Sequence, residues 1–163
     1  MPEMSILGWF HTIWGSAAIL IGIYSLIQFK VIRSNNITGK IYLILTLMTA
    51  ASALMIYQHG SFNVAHLLAL ATLGAVVVGY IAENSKVFRG LSAYLMAASY
   101  SATFLFHMIP AITDGLRRLP VGDPFVDRMD HPLILNFYML FLATYVVGVA
   151  LQCWNVRKGN ISI

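Results

Sequence analysis

The sequence predicts an all-α integral membrane protein, a helical bundle with five transmembrane helices that forms one domain over residues 1–163. Of the 163 residues, 59% are hydrophobic and only 10% are charged, whereas roughly 25% of residues are charged in a soluble domain. Five mostly apolar stretches each approach the ~20 residues that cross a hydrocarbon core. The charged residues lie mainly between these stretches, as expected for connections at a membrane surface.

The apolar stretches cover residues 6–29, 41–57, 62–82, 91–112 and 132–154. Only Glu3 among charged residues precedes the first stretch, which is longer than the ~7–15 apolar residues of a signal-peptide core. We therefore expect the first stretch to remain as a transmembrane helix.

Local signals mark the ends of the later helices. Thr38-Gly39 is expected to open the second helix and Ser61 to cap the third. Asn84-Ser85 is expected to end the third helix, and Pro132 suits the first turn of the fifth. The longest connection, 113–131, contains two glycines and two prolines that argue against helix. It is interpreted as a loop, either a solvated connector or a lid.

The basic residues predict the orientation of the chain. Seven of the ten lie in the first and third connections and the C-terminal tail, namely Lys30, Arg33, Lys40, Lys86, Arg89, Arg157 and Lys158. The positive-inside rule assigns that side to the cytoplasm, so the N-terminus is outside and the C-terminus inside. We expect a multi-pass protein of a bacterial inner membrane. Its expected partner is the lipid bilayer, and no nucleic-acid partner is expected.

All five histidines are predicted on the outer side. His11, His66 and His107 each lie about five residues inside a helix, which is roughly 7–8 Å from its outer end. His59 and His131 lie at the outer interface above them. An imidazole inside a bilayer needs a partner, so three at one depth indicate a shared metal or haem.

The leading interpretation is a redox centre, haem b or copper, that exchanges electrons with a quinone or a periplasmic redox protein. Haem would take axial imidazoles from among His11, His66 and His107, and Arg117 and Arg118 would contact its propionates. A bare ion would use the same three histidines, completed by Asp114 or water. The interfacial His59 and His131 extend that metal-ligand set, and the further ligands expected for copper are His59, Met108 or Met129.

Two alternatives remain open at the sequence level. In a zinc-dependent membrane hydrolase, the three histidines hold the ion while Asp114 or Asp130 acts as general base. In a non-catalytic assembly subunit, the histidines only anchor helix ends at the interface. A second copy of the chain, forming a homo-oligomer, is a further candidate partner.

Four segments carry a resemblance to known proteins: GKIY at 39–42, GSFNVAHLLAL at 60–70, HMIP at 107–110 and RLP at 118–120. Through them the chain resembles an uncharacterised bacterial family of small predicted multi-pass membrane proteins. Thr38 stands where many of these sequences have histidine. Beyond this there is only a general similarity to membrane b-type cytochrome bundles, and the family implies no established activity.

Overall fold

The structure, a computed structural model, describes residues 5–57, 61–85 and 87–161. Five long helices account for most of them: α1 (Ile6–Phe29), α2 (Ile37–Leu54), α3 (Val64–Asn84), α4 (Ser92–Arg118) and α5 (Pro132–Arg157). A short 3-10 turn, Arg89–Leu91, leads into α4. Each helix is long and apolar enough to cross a membrane, so the all-α class and the five predicted helices are confirmed.

Successive helices run antiparallel, and α1 to α4 surround a common core while α5 packs chiefly against α4. One end of the bundle, here called the loop end, consists of residues 30–36, 85, 87–91 and 158–161. The other end, here called the His end, contains the first turns of α1, α3 and α5, the last turns of α2 and α4, and the 119–131 loop. Many large apolar side chains on the outside of the bundle are exposed, such as Leu20, Val64 and Leu151.

Asparagines cap two of the helices. The Asn36 side chain accepts the Gly39 amide, so α2 begins at Ile37, just before the expected Thr38-Gly39. The expectation that Ser61 caps α3 is wrong. Asn63 is the cap because its side chain accepts the Ala65 amide while the His66 ring accepts the Asn63 amide, which satisfies two orphan donors at once.

The connection predicted at 113–131 is shorter than expected, because α4 continues to Arg118. Pro110 and Gly115 both lie inside this helix, which membrane helices tolerate when neighbouring groups satisfy the backbone. The remaining loop folds back on the helix end: the Val126 amide donates to the Leu116 carbonyl, and the Val126 side chain is buried. The predicted Pro132 start and Asn84 end are confirmed.

The apolar core lies mostly in the half of the bundle nearer the loop end. Val31 and Ile32, from the α1–α2 connection, are buried there with Tyr100 and the C-terminal Ile161. Gly79 lets α3 approach α4 closely, because a β-carbon at this position would lie 2.5 Å from the Tyr100 ring. The α1–α2 connection thus packs into the end of the bundle and covers the core there.

Candidate functional site

His11 projects from α1 onto the last turns of α2. Its Nδ1 lies 3.0 Å from the Thr49 carbonyl oxygen, to which it donates, and 3.1 Å from the Ser52 hydroxyl. Gly15, one turn further along α1, lies against the Thr49 side chain and leaves room for this approach. The His11 ring is therefore held by α2 and not by lipid.

His107 meets the same face of α2 one turn nearer the loop end. A hydrogen bond of 3.0 Å joins His107 Nε2 to the Thr46 hydroxyl. The ring also packs edge-on against Tyr42, with centroids 6.1 Å apart. The Tyr42 hydroxyl lies 2.8 Å from the Thr103 hydroxyl, which itself donates to the Tyr100 carbonyl, so Tyr42 is the donor between the two hydroxyls.

These side chains form one buried line from the His end to the middle of the bundle. We call it the polar row; it comprises His11, Ser52, Thr49, His107, Thr46, Tyr42 and Thr103. Six of the seven are buried, and His11 is partly exposed. Every member has a hydrogen bond to another part of the protein, as buried polar groups require. The α2 hydroxyls belong to one helix face because their spacing is three or four residues.

His66 lies apart from the polar row, at the start of α3. Its ring is stacked by Phe62 and contacted by Tyr57, with centroids 5.0 and 4.6 Å away. Nδ1 accepts the Asn63 amide, and the buried Nε2 has no hydrogen-bond partner within the described residues. His66 therefore serves the helix cap, and the structure does not bring it into contact with His11 or His107.

The other predicted site residues lie toward the surface of the His end. His131 caps α5, because its Nδ1 accepts the Leu133 amide. Asp114 and Arg118 form an ion pair with a 3.7 Å separation, and the Asp114 side chain is 59% exposed. Arg117 has a buried Nε without a partner among the residues that can be described. His59 lies outside the described residues.

The loop segment before α5 contains a separate ion pair. Arg128 donates two hydrogen bonds to Asp130, of 2.9 and 2.6 Å. These bonds hold the pKa of the Asp130 carboxyl below its usual range. A carboxylate that is engaged in this way is a weaker general base than a free one, which bears on its predicted hydrolase role.

Within residues 5–57, 61–85 and 87–161, no three His, Cys, Asp or Glu side chains lie together as a group able to hold a metal ion. The His11 and His107 rings contact neighbouring turns of α2, whereas the His66 ring lies at the N-terminal cap of its own helix, α3. The contacts of α4 with α2 through Thr46 and Tyr42 fill the middle of the bundle. A haem held by His11 on α1 and His66 on α3 would have to separate α2 from α4 at these contacts.

A second polar group, at the loop end, was not predicted from the sequence. The Glu83 side chain is 3% exposed, and its Oε2 accepts the Ser34 amide (2.8 Å) and the Tyr100 hydroxyl (3.1 Å). Its Oε1 lies 3.9 Å from Arg33 Nε. We call these four residues, Glu83, Arg33, Ser34 and Tyr100, the Glu83 cluster. A carboxylate at the edge of an apolar stretch was the signal that could have revealed it.

Side chains from α4 and α5 secure the same end of the bundle. Ser101 donates to Gln152 Oε1, and Gln152 Nε2 donates to the Lys30 carbonyl. Lys30 adopts a left-handed backbone conformation with φ of 63°, which turns the chain sharply after α1. The α1–α2 connection is thus bonded to both α3 and α5.

A scan against protein-family models, a search of curated proteins and a search of solved structures each found no match to this chain. The resemblance drawn from the four sequence segments therefore stays a prediction, and the functional argument depends on the arrangement of the side chains.

Proposed function

We propose that this chain is a multi-pass protein of a bacterial inner membrane, with the His end toward the periplasm, and that its polar row conducts protons from that face to the middle of the bundle. Five apolar helices with exposed apolar side chains support the insertion. The basic residues of the loop end support the orientation. In this arrangement the row begins at the outer membrane face.

The single observation that supports the proton path is the stacking along the bundle of two hydrogen-bonded pairs, His107 with Thr46 and Tyr42 with Thr103. The edge-on contact between the Tyr42 and His107 rings brings the two pairs together. Imidazole and hydroxyl groups both donate and accept hydrogen bonds, so each can take up a proton on one side and release one on the other. Polar side chains placed at this depth are costly and typically mark ion or proton pathways.

Proton flux into vesicles tests this function. Purified protein is reconstituted in liposomes that contain a pH-sensitive dye, and a potassium diffusion potential drives the protons. We expect flux above that of empty vesicles, and a decrease of about tenfold or more in His107→Gln and in Tyr42→Phe, the order of effect of losing a positioned proton carrier.

A matched control is Tyr145→Phe, because the Tyr145 hydroxyl donates to the Ala98 carbonyl away from the polar row. This variant should conduct like the native chain. Native vesicles no more permeable to protons than empty ones, or equal losses in all three variants, would refute the proposed path.

A redox or metal centre at the His end is the second candidate, and the proximity of His11 and His107 to consecutive turns of α2 favours it. Two imidazoles there suit copper or zinc, and Asp114 follows His107 by two turns of α4. Haem b requires axial ligands, for which His11, His66 and His107 are the candidates. In this reading the electron partner is a quinone or a periplasmic redox protein.

Elemental analysis and an absorption spectrum of the purified protein separate these chemistries. A Soret band would support haem, stoichiometric copper would support electron transfer, and colourless stoichiometric zinc would support the hydrolase. If the protein binds neither haem, copper nor zinc in a way that depends on His11 and His107, this second candidate fails. The proton path and a non-catalytic assembly role then remain.

A further inference from the structure

The Glu83 cluster contains the one deeply buried carboxylate of the described residues. The aspartates at 114, 123, 127 and 130 are all exposed, whereas the Glu83 side chain is 3% exposed. Burial of a carboxylate is expensive unless it is paired and hydrogen-bonded. The position must therefore be satisfied by its neighbours or by a proton.

The pairing of Glu83 is incomplete. Oε2 has two donors, but Oε1 has no hydrogen-bond partner within the described chain and faces an equally unpartnered Arg33 Nε at 3.9 Å. That separation is too long for a hydrogen bond. A buried ion pair of imperfect geometry recovers little of its desolvation cost.

The charged and titratable groups around Glu83 come from three elements. Arg33 faces it from the α1–α2 connection, Tyr100 from α4, and Tyr80 lies one turn earlier on α3 itself. Arg33 is the only cation that the structure pairs with this carboxyl among the residues it describes. Loss of the Glu83 charge would leave Arg33 partly buried without a counter-ion, which favours its movement into solvent.

We propose that Glu83 is a proton-binding site at the loop end and that its protonation releases Arg33 and loosens the 30–36 connection. The inference rests on the proposed proton path, to which it adds the acceptor on the opposite side of the bundle. The connection responds as a unit because the Ser34 amide is bonded to Glu83 while Ile32 is buried in the core. Protonation weakens the first contact and thereby exposes the second.

Two measurements in detergent, with no proton gradient, test the site. A hydrophobic carbodiimide, which reacts with protonated carboxyl groups in apolar surroundings, should label the native chain more at acidic than at alkaline pH. Labelling should vanish in Glu83→Gln and persist in Asp130→Asn, whose target is the exposed carboxylate at the other end.

The movement is followed with Ile32→Cys in a Cys153→Ser background, since Cys153 is the chain's one cysteine. Because maleimides react with the thiolate, whose population falls on acidification, its rate of reaction with a maleimide is divided by that of Asp123→Cys, an exposed position, in the same background. The ratio should rise on acidification by at least about tenfold, the change that ~1.4 kcal/mol produces in an opening equilibrium. Adding Glu83→Gln should make the ratio high at every pH.

Labelling that does not depend on Glu83, or a ratio of thiol reaction rates, Ile32→Cys to Asp123→Cys, that does not depend on pH, would overturn the inference. Vesicle flux keeps the two proposals separate. If His107→Gln lowers flux but Glu83→Gln does not, the polar row stands and the role of Glu83 as the acceptor of that path fails. If both detergent measurements succeed but native vesicles show no flux, the proton path fails and the Glu83 switch stands.

Discussion

At the scale of single residues, the hydroxyl of Tyr42 has a structural and a proposed functional role that can be separated. Tyr42 is fully buried, and its hydroxyl donates to Thr103. Thr103 keeps its own bond to the Tyr100 carbonyl when the tyrosine hydroxyl is removed. A phenylalanine fills nearly the same volume, so the substitution removes one hydrogen bond and little packing.

We predict that Tyr42→Phe lowers the free energy of unfolding by about 0.5–1.5 kcal/mol, the net contribution of one hydrogen bond. Reversible unfolding in mixed detergent micelles measures this quantity, with Tyr80→Phe, an exposed position, as the control. A loss well above this range would mean that the flux experiment on Tyr42→Phe reports unfolding and not proton conduction.

At the scale of helices, close packing of α3 on α4 depends on Gly79. A β-carbon at this position would lie 2.5 Å from the Tyr100 ring, so Gly79→Ala forces the ring or the helix to move. We expect a loss of about 1–3 kcal/mol in unfolding free energy, as for other overpacked cores. Gly74→Ala is the matched control on the same helix, because nothing lies within 4 Å of its β-carbon. Equal effects at both positions would show that α3 and α4 do not pack as described.

The cap of α3 provides a second test at this scale. Asn63→Ala removes the side chain that accepts the Ala65 amide and half of the reciprocal arrangement with His66. The expected cost is about 1 kcal/mol. Ser61→Ala should be neutral, since Ser61 lies before the cap. Thermal unfolding of the two variants side by side distinguishes the caps, and a larger loss for Ser61→Ala would restore the cap expected from the sequence.

The sequence predicts the helices better than their ends. Apolar length identifies all five, because a bilayer-spanning segment needs many consecutive apolar residues. Gly115 misled the prediction for α4, which ended the apolar stretch at residue 112 although the helix continues to Arg118. A glycine inside a membrane helix is tolerated where neighbouring groups satisfy the backbone. The third apolar stretch ends at residue 82, so Glu83 was not examined as a buried group, although the last turn of α3 presents its carboxylate to Arg33.

The arrangement of the candidate site was not predictable from the sequence. His66 is the third residue of α3 and His107 lies eleven residues before the end of α4, so the expected equal spacing of about five residues from the helix ends is wrong for both. Spacing also does not say which side of each helix faces a neighbour. The structure directs His11 and His107 to α2 and His66 to its own cap. Thr46, Tyr42 and Thr103 gave no sequence signal, because a threonine in an apolar helix commonly bonds its own backbone, as Thr72 does to Leu68.

At the scale of the whole molecule, the two ends of the bundle differ in charge and in how their connections pack against the helices. By sequence, seven of the ten basic residues lie in or next to the connections at the loop end. The core at this end includes Val31 and Ile32 of the 30–36 connection. The His end has four aspartates and the 119–131 loop. This asymmetry links the two proposals, because a proton path needs distinct openings and the Glu83 cluster lies opposite the histidines.

The orientation of the bundle is the last prediction. In a Cys153→Ser background, Asp123→Cys should react with a membrane-impermeant maleimide in intact spheroplasts, because positive-inside orientation places the 119–131 loop outside. Asn35→Cys, in the connection at the loop end, should react only after permeabilisation. Both positions are exposed, so access to the reagent and not burial decides the result. The reverse pattern would place the histidines in the cytoplasm, and Glu83 would then face the side from which protons enter.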